Sequence, residues 1–194
     1  MVKKAAQKEV KGFTLVELLV VIAIIAILAA VIVLIINPLE LTRRGRDATR
    51  LSDLDNLQHA ITVILEESSG SATQTILCGA LTPPCKGDSV NGNTSNGVSS
   101  VRKTDSTGWV PINLSNSSLN TPTLPVDPTN TATNHYTYCS DGNSWEIDTK
   151  LESQQQSQHM ANDGGDANNL SDGTALYEVG SNLTLIGTQN LCTY

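Results

Sequence analysis

Residues 18–36 form a run of 19 consecutive residues without a charge. At about 1.5 Å of rise per residue, a helix over this run spans about 28 Å, close to the ~30 Å hydrocarbon core of a bilayer. A membrane-spanning helix is therefore the first expectation. Lys3, Lys4, Lys8 and Lys11 precede the run and favour a cytoplasmic amino end. Arg43, Arg44, Arg46 and Arg50 follow it and weaken that bias. One residue does not suit a plain anchor: Glu17 heads the apolar run, four residues after Phe13. A carboxylate at membrane depth costs about 2.5–3.5 kcal/mol even on the lenient insertion scale, so Glu17 needs a partner. A cleaved signal peptide with its cut near Ala29 and Ala30 fits less well, because its apolar region would be too long and headed by an acid.

The segment Lys11-Gly12-Phe13-Thr14-Leu15-Val16-Glu17-Leu18-Leu19-Val20 resembles the processing motif of type IV prepilins and type II secretion pseudopilins. The resemblance implies that a prepilin peptidase in the inner membrane cuts between Gly12 and Phe13. Residues 1–12 would be a leader peptide, and Phe13 would become the N-methylated first residue. The implied role of Glu17 is assembly: in a filament it would meet the positively charged amino terminus of a neighbouring subunit. Such a pair offsets part of the desolvation of both groups and selects an axial register, since a misregistered neighbour leaves two buried charges unpaired. An interfacial carboxylate that reaches the lipid headgroups is the plainer alternative for Glu17. The implied partners are copies of the chain and other pilins, the prepilin peptidase, and the pilus assembly or secretion machinery.

After the apolar run, Asn37-Pro38-Leu39-Glu40 reads as a helix restart. Asn can cap, Pro suits the first helical position, and Glu follows three residues later. Pro38 disfavours helical geometry at Asn37, which predicts a kink there. Ala48, Leu51, Leu54, Leu57, Ile61, Ile64 and Leu65 then recur at intervals of three and four, the pattern of an amphipathic helix running to about Glu67. The Arg cluster at 43–50 reads as a solvated helix face, or as one that meets headgroups or acidic neighbours.

The rest of the chain is rich in polar and turn residues. Residues 86–107 read as a Gly/Asn/Ser-rich loop, and residues 109–112 as a short edge strand, demoted by Pro111. Residues 135–139 and 144–148 read as a β-hairpin, with Asp141-Gly142 supplying the positive φ angles of a tight primed turn. This block is similar to the sheet region of major pseudopilins. Residues 177–179, 183–186 and 190–193 are candidates for further short strands. The expected fold class is α+β: a long amino-terminal helix packed on a small antiparallel sheet with long loops. The expected division is a leader at 1–12, a transmembrane and polymerisation helix at 13–36, its amphipathic half at 37–69, and a β-rich head at 70–194.

All four Cys lie behind the anchor, in a chain with one Phe and two Trp to build a core. Disulfides are the expected supplement. Three connectivities are possible. Cys78 with Cys85 closes a short loop, and Cys139 with Cys192 ties the carboxyl end to the hairpin; this is the pairing favoured here. A zinc site is the runner-up, weakened by the absence of a Cys-x-x-Cys pair and by three scattered His. Residues 162–173 place Asp163, Asp166 and Asp172 among amides on a polar loop. Calcium takes six to eight oxygen ligands, and some pseudopilins bind calcium near the carboxyl end of the head, so a calcium site there competes with an exposed polar loop.

The net charge is -7, and losing the leader removes four Lys and one Glu, a net +3, which leaves -10. An acidic head is a poor binder of nucleic acid, since phosphate contacts need Lys and Arg. No nucleophile constellation, phosphate loop or metal triad is legible, and the Asp and Glu residues read as spread over exposed segments. The expectation is therefore a non-enzymatic structural subunit of a type IV pilus-like filament, membrane-anchored before assembly and extracellular afterwards. The alternatives are a type II secretion pseudopilin of the major class and, from another class of function, a membrane-tethered binding module that never polymerises.

Overall fold

The computed structural model describes residues 12–35, 37–68, 73–92, 101–119, 121–171, 173–186 and 192. The architecture is α+β, and the backbone divides into two compact units, Met1–Leu41 and Thr42–Tyr194. In the first unit, α1 runs over Leu15–Ile35. Its composition leaves little choice, since an apolar backbone segment in lipid must satisfy its own hydrogen bonds. The described side chains of α1 are exposed. Helical structure resumes at Pro38, the first residue of α2 (Pro38–Glu67). The Asn37 side chain accepts from the Glu40 amide at 3.3 Å, the cap expected of Asn-Pro-Leu-Glu.

In the second unit, α2 lays one apolar face on an antiparallel sheet. The sheet has four strands in sequence order: β1 (Cys85–Asp88), β2 (Tyr136–Ser140), β3 (Trp145–Thr149) and β4 (Tyr177–Gly180). Strand residues alternate between faces. Tyr136, Tyr138, Trp145, Ile147 and Val179 face α2 and pack with Leu54, Leu57, Ile61 and Ile64. The short helix α3 (Thr73–Cys78) closes one end, where the Leu77 carbonyl accepts the Tyr138 hydroxyl at 2.8 Å. The opposite face of the sheet is covered by the chain's carboxyl-terminal part, through Leu176, Leu185, Ile186 and Cys192 packed with Cys139.

Several elements differ from the sequence expectation for physical reasons. β1 falls where a loop was expected. Lys-Gly-Asp has poor strand propensity, and β1 is set by pairing with β2 and by the bond at Cys85. Gly87 is required there, because a Cβ would lie 1.9 Å from the Trp109 carbonyl oxygen. Residues 109–112 are not a strand. Trp109, Val110 and Ile112 are buried as irregular core, and the Trp109 indole donates to the Pro125 carbonyl at 2.9 Å.

The hairpin turn occupies four residues between the Ser140–Trp145 pair, and only Gly142 has positive φ, at 90°. The turn is held by Asp141, whose carboxylate accepts the amides of Asn143 and Ser144, and not by primed-turn geometry. Residues 183–186 are a turn because the amides of Leu185 and Ile186 donate to Glu146 Oε2, at 2.7 and 3.0 Å, and so are not offered to a neighbouring strand. Of residues 190–193, all but Cys192 lie outside the described residues.

Candidate functional sites

At the amino-terminal site, Gly12 has no atom within 4 Å of a would-be Cβ, and Phe13 is 85% exposed. A bond between them is sterically open to a peptidase. Thr14 caps α1: its hydroxyl accepts the Glu17 amide at 3.3 Å, and Glu17 Oε2 accepts the Thr14 amide at 2.8 Å and its hydroxyl at 2.7 Å. This is a reciprocal capping box, and Thr14-x-x-Glu17 is its sequence signature. Glu17 therefore has a partner within its own chain, which the sequence reading assigned only to a neighbour. The window Leu15–Ile32 has a mean hydropathy of 3.2 and is long and apolar enough to cross a membrane.

The Arg cluster is not one solvated face. Arg50 has a fully buried side chain that forms ion pairs with Asp47 at 2.8 Å, Asp127 at 2.6 Å and Glu152 at 2.6 Å. Arg46 adds a second contact to Glu152 at 2.7 Å. Asp47 also accepts the amides of Glu152 and Ser153, and Asp127 those of Thr129 and Asn130. Burial alone would push the Asp127 carboxyl up, but Arg50 and the Thr129 and Asn130 donors outweigh it, and the carboxyl titrates below its ordinary value. Glu152 is likewise held low, first by Arg46. This cluster fastens α2 to the loops that flank the sheet.

A second buried cluster has no such cation. Thr137, Asp148 and Glu178 stand opposite one another on β2, β3 and β4, and Glu146 shares their face two residues from Asp148. Glu146, Asp148 and Glu178 each bring a carboxylate oxygen within 4.8 Å of the others. None of the ion pairs among the described residues reaches them. Glu146 Oε2 is used by Leu185 and Ile186, and Glu178 Oε2 by the Ala167 amide at 3.1 Å. Glu146 Oε1, Glu178 Oε1 and both oxygens of Asp148 have no hydrogen-bond donor among the described residues. Burial, then the charges of Glu146 and Glu178, raises the Asp148 carboxyl well above its ordinary range. Burial and then Glu146 push Glu178 up to about 9.

The acids are thus not spread over exposed segments, as the sequence suggested. The alternation Glu-Ile-Asp on β3, read together with a core face on the Ile side, is the signal that both acids share one face. What covers that face is not local to the strand. Of the loop acids, Asp163 is spent on structure: its carboxylate accepts the amides of Gly165 at 3.1 Å and Glu178 at 2.9 Å. Asp166 is described but is not in the converging group, and Asp172 lies outside the described residues. Disulfides join Cys78 to Cys85 and Cys139 to Cys192, spanning 7 and 53 residues.

Residues 8–33 match the prokaryotic N-terminal methylation motif, the hallmark of type IV pilins and pseudopilins. No curated protein and no solved structure matches the chain.

Proposed function

We propose, from the methylation motif over residues 8–33, that this chain is a filament subunit of the type IV pilus kind. It is made as a membrane-anchored precursor, cut between Gly12 and Phe13 by a prepilin peptidase, and polymerised through α1 with copies of itself or other pilins. The single observation that carries the reading is that motif, which falls on a helix whose apolar side chains stay exposed. A helix apolar on all sides is stable either in lipid or among like helices, and a filament supplies the second environment when subunits leave the membrane. Glu17 adds selectivity. Its carboxylate sits in the first turn, where the helix dipole favours a negative charge, and it can accept from a neighbour's amino terminus as well as from Thr14.

Mass spectrometry of the chain from its native cells tests the reading. The expected polypeptide begins at N-methylated Phe13, and Gly12→Leu accumulates uncut precursor. A chain that still begins at Met1 overturns the proposal. Glu17→Ala and Glu17→Gln then separate charge from capping. Gln keeps an acceptor for Thr14 but has no charge with which to form an ion pair with an ammonium. Loss of filaments in both variants, with membrane insertion retained, is the expected result. Normal filaments from both would mean that Glu17 serves only its own helix and takes no part in assembly.

A further inference from the structure

Three carboxylates on one buried sheet face, two of them (Asp148 and Glu178) directly opposed and none paired with a cation among the described residues, are an unstable arrangement by themselves. Like charges facing each other across neighbouring strands are destabilising, and burial multiplies the cost. Asp148 is 0% exposed, Glu146 0% and Glu178 2%, so water does not relieve them. The most telling group is Asp148: both of its oxygens lack a donor among the described residues, and one of them lies within 4.8 Å of a carboxylate oxygen of both Glu146 and Glu178.

We propose that Glu146, Asp148 and Glu178 bind one divalent cation of the calcium class in the head. Two ligands of one calcium ion, each at about 2.3–2.6 Å from it, lie no more than about 5 Å apart. The three carboxylates meet that limit, with ligand oxygens within 4.8 Å of one another. Four oxygens are available without breaking any hydrogen bond: Glu146 Oε1, both Asp148 Oδ atoms and Glu178 Oε1. The second oxygens of Glu146 and Glu178 are held by backbone amides, which fix the rotamers and aim the free oxygens. An all-carboxylate set is hard and anionic, which suits calcium and does not suit zinc or copper.

The covering segment is shaped for this. Gly165 packs so closely on Glu178 that a Cβ would lie 2.0 Å from Glu178 Oε2. Asp163, the loop acid expected to bind calcium, instead pins that segment to β4. The site therefore belongs to the sheet, with the 163–167 segment as its lid. It is independent of whether the chain polymerises.

The test uses the full chain in detergent micelles, with its disulfides intact, stripped with a chelator and titrated with calcium chloride in a calorimeter. One calcium per chain is expected, together with a rise in Tm at millimolar calcium and a weaker response to magnesium. Asp148→Asn and Glu178→Gln should each weaken calcium binding at least tenfold. Because both remove only a buried charge, chelated samples of these variants should unfold cooperatively near the wild-type Tm, which separates lost ligation from lost fold. Asp172→Asn, on the loop, should leave affinity unchanged. Absence of binding heat and of any Tm shift in the wild type overturns the proposal. So does unchanged affinity in Asp148→Asn, or a loss in Asp172→Asn as large as that in Asp148→Asn.

Discussion

The head buries two groups of three acids, and they are solved in opposite ways. Asp47, Asp127 and Glu152 converge on the Arg50 guanidinium, which donates to all three; Asp47 and Asp127 also accept backbone amides, and Glu152 also accepts from Arg46. Glu146, Asp148 and Glu178 converge on one another, with four oxygens left without a donor among the described residues. Apart from half-buried Glu152 the acids of both groups are buried, so exposure is not the main distinction. What differs is the source of positive charge. In the first group it is covalently part of the chain, and in the second it has to be a proton or a bound cation. A buried ion pair is weak evidence of net stabilisation, yet removing one partner is severe, because the charges left behind remain buried.

The sharpest way to break this contrast is to take the cation out of the first group. Arg50→Met keeps apolar bulk and strands Asp47 and Asp127, both buried, with Glu152 half-buried beside them. The expected loss is about 3–5 kcal/mol, read by denaturant unfolding of the full chain. A loss under about 1 kcal/mol would mean that the amide donors of Asp47 and Asp127, with Arg46 on Glu152, relieve the three acids without Arg50, and the contrast between the groups would fail.

Titration gives the next largest effect, and the two groups carry opposite signs. Asp127 and Glu152 titrate below their ordinary values of 3.8 and 4.5. Their stabilisation is present above those values and is lost as pH falls through the lower folded values. Glu178 is raised from 4.5 to about 9, so its contribution is present below 4.5 and declines as pH rises towards 9. In chelated samples, stability should therefore fall at both ends of the pH range. Arg50→Met should shrink the acid limb, chiefly through Asp127, since Arg46 still holds Glu152 low, and leave the alkaline limb unchanged. An alkaline limb that disappears with Arg50→Met would show that the groups are one coupled network.

These two groups also mark what the sequence could carry. The apolar first helix, the amphipathic helix to Glu67, the β2–β3 hairpin and the α+β class were legible, because each rests on local periodicity or on a turn residue. The Thr14–Glu17 box was legible in principle, as Thr-x-x-Glu ahead of an apolar run. Arg50 was not, because two of its three acid partners, Asp127 and Glu152, lie 77 and 102 residues away, and the third, Asp47, three residues before it, does not by itself mark which arginine of the cluster is buried. β1 was hidden by a Lys-Gly-Asp sequence that would not form a strand without β2 and the Cys78–Cys85 bond. Glu146 and Asp148 alternate with apolar residues as solvent-facing acids would. Only the return of Leu176, Leu185, Ile186 and Cys192 over that face buries them.

The smallest expected effect comes from a matched pair of threonines, one in each group. The Thr129 hydroxyl donates to Asp127 at 2.6 Å and accepts from Arg50 at 3.2 Å. The Thr137 hydroxyl, opposite Asp148 on the sheet, has no hydrogen-bond partner among the described residues. Thr→Val keeps the shape and deletes only the hydroxyl. Thr129→Val should cost about 1 kcal/mol, since it removes a donor to a charged acceptor, partly screened at an exposed position. Thr137→Val should change chelated stability by less than about 0.5 kcal/mol, because it deletes a polar group that is not paired. Paired denaturant melts at one pH measure the difference directly. If Thr137→Val costs as much as Thr129→Val, the hydroxyl on β2 is already serving the sheet carboxylates. Their donor would then lie within the chain, and the contrast between the two groups would narrow to one of degree.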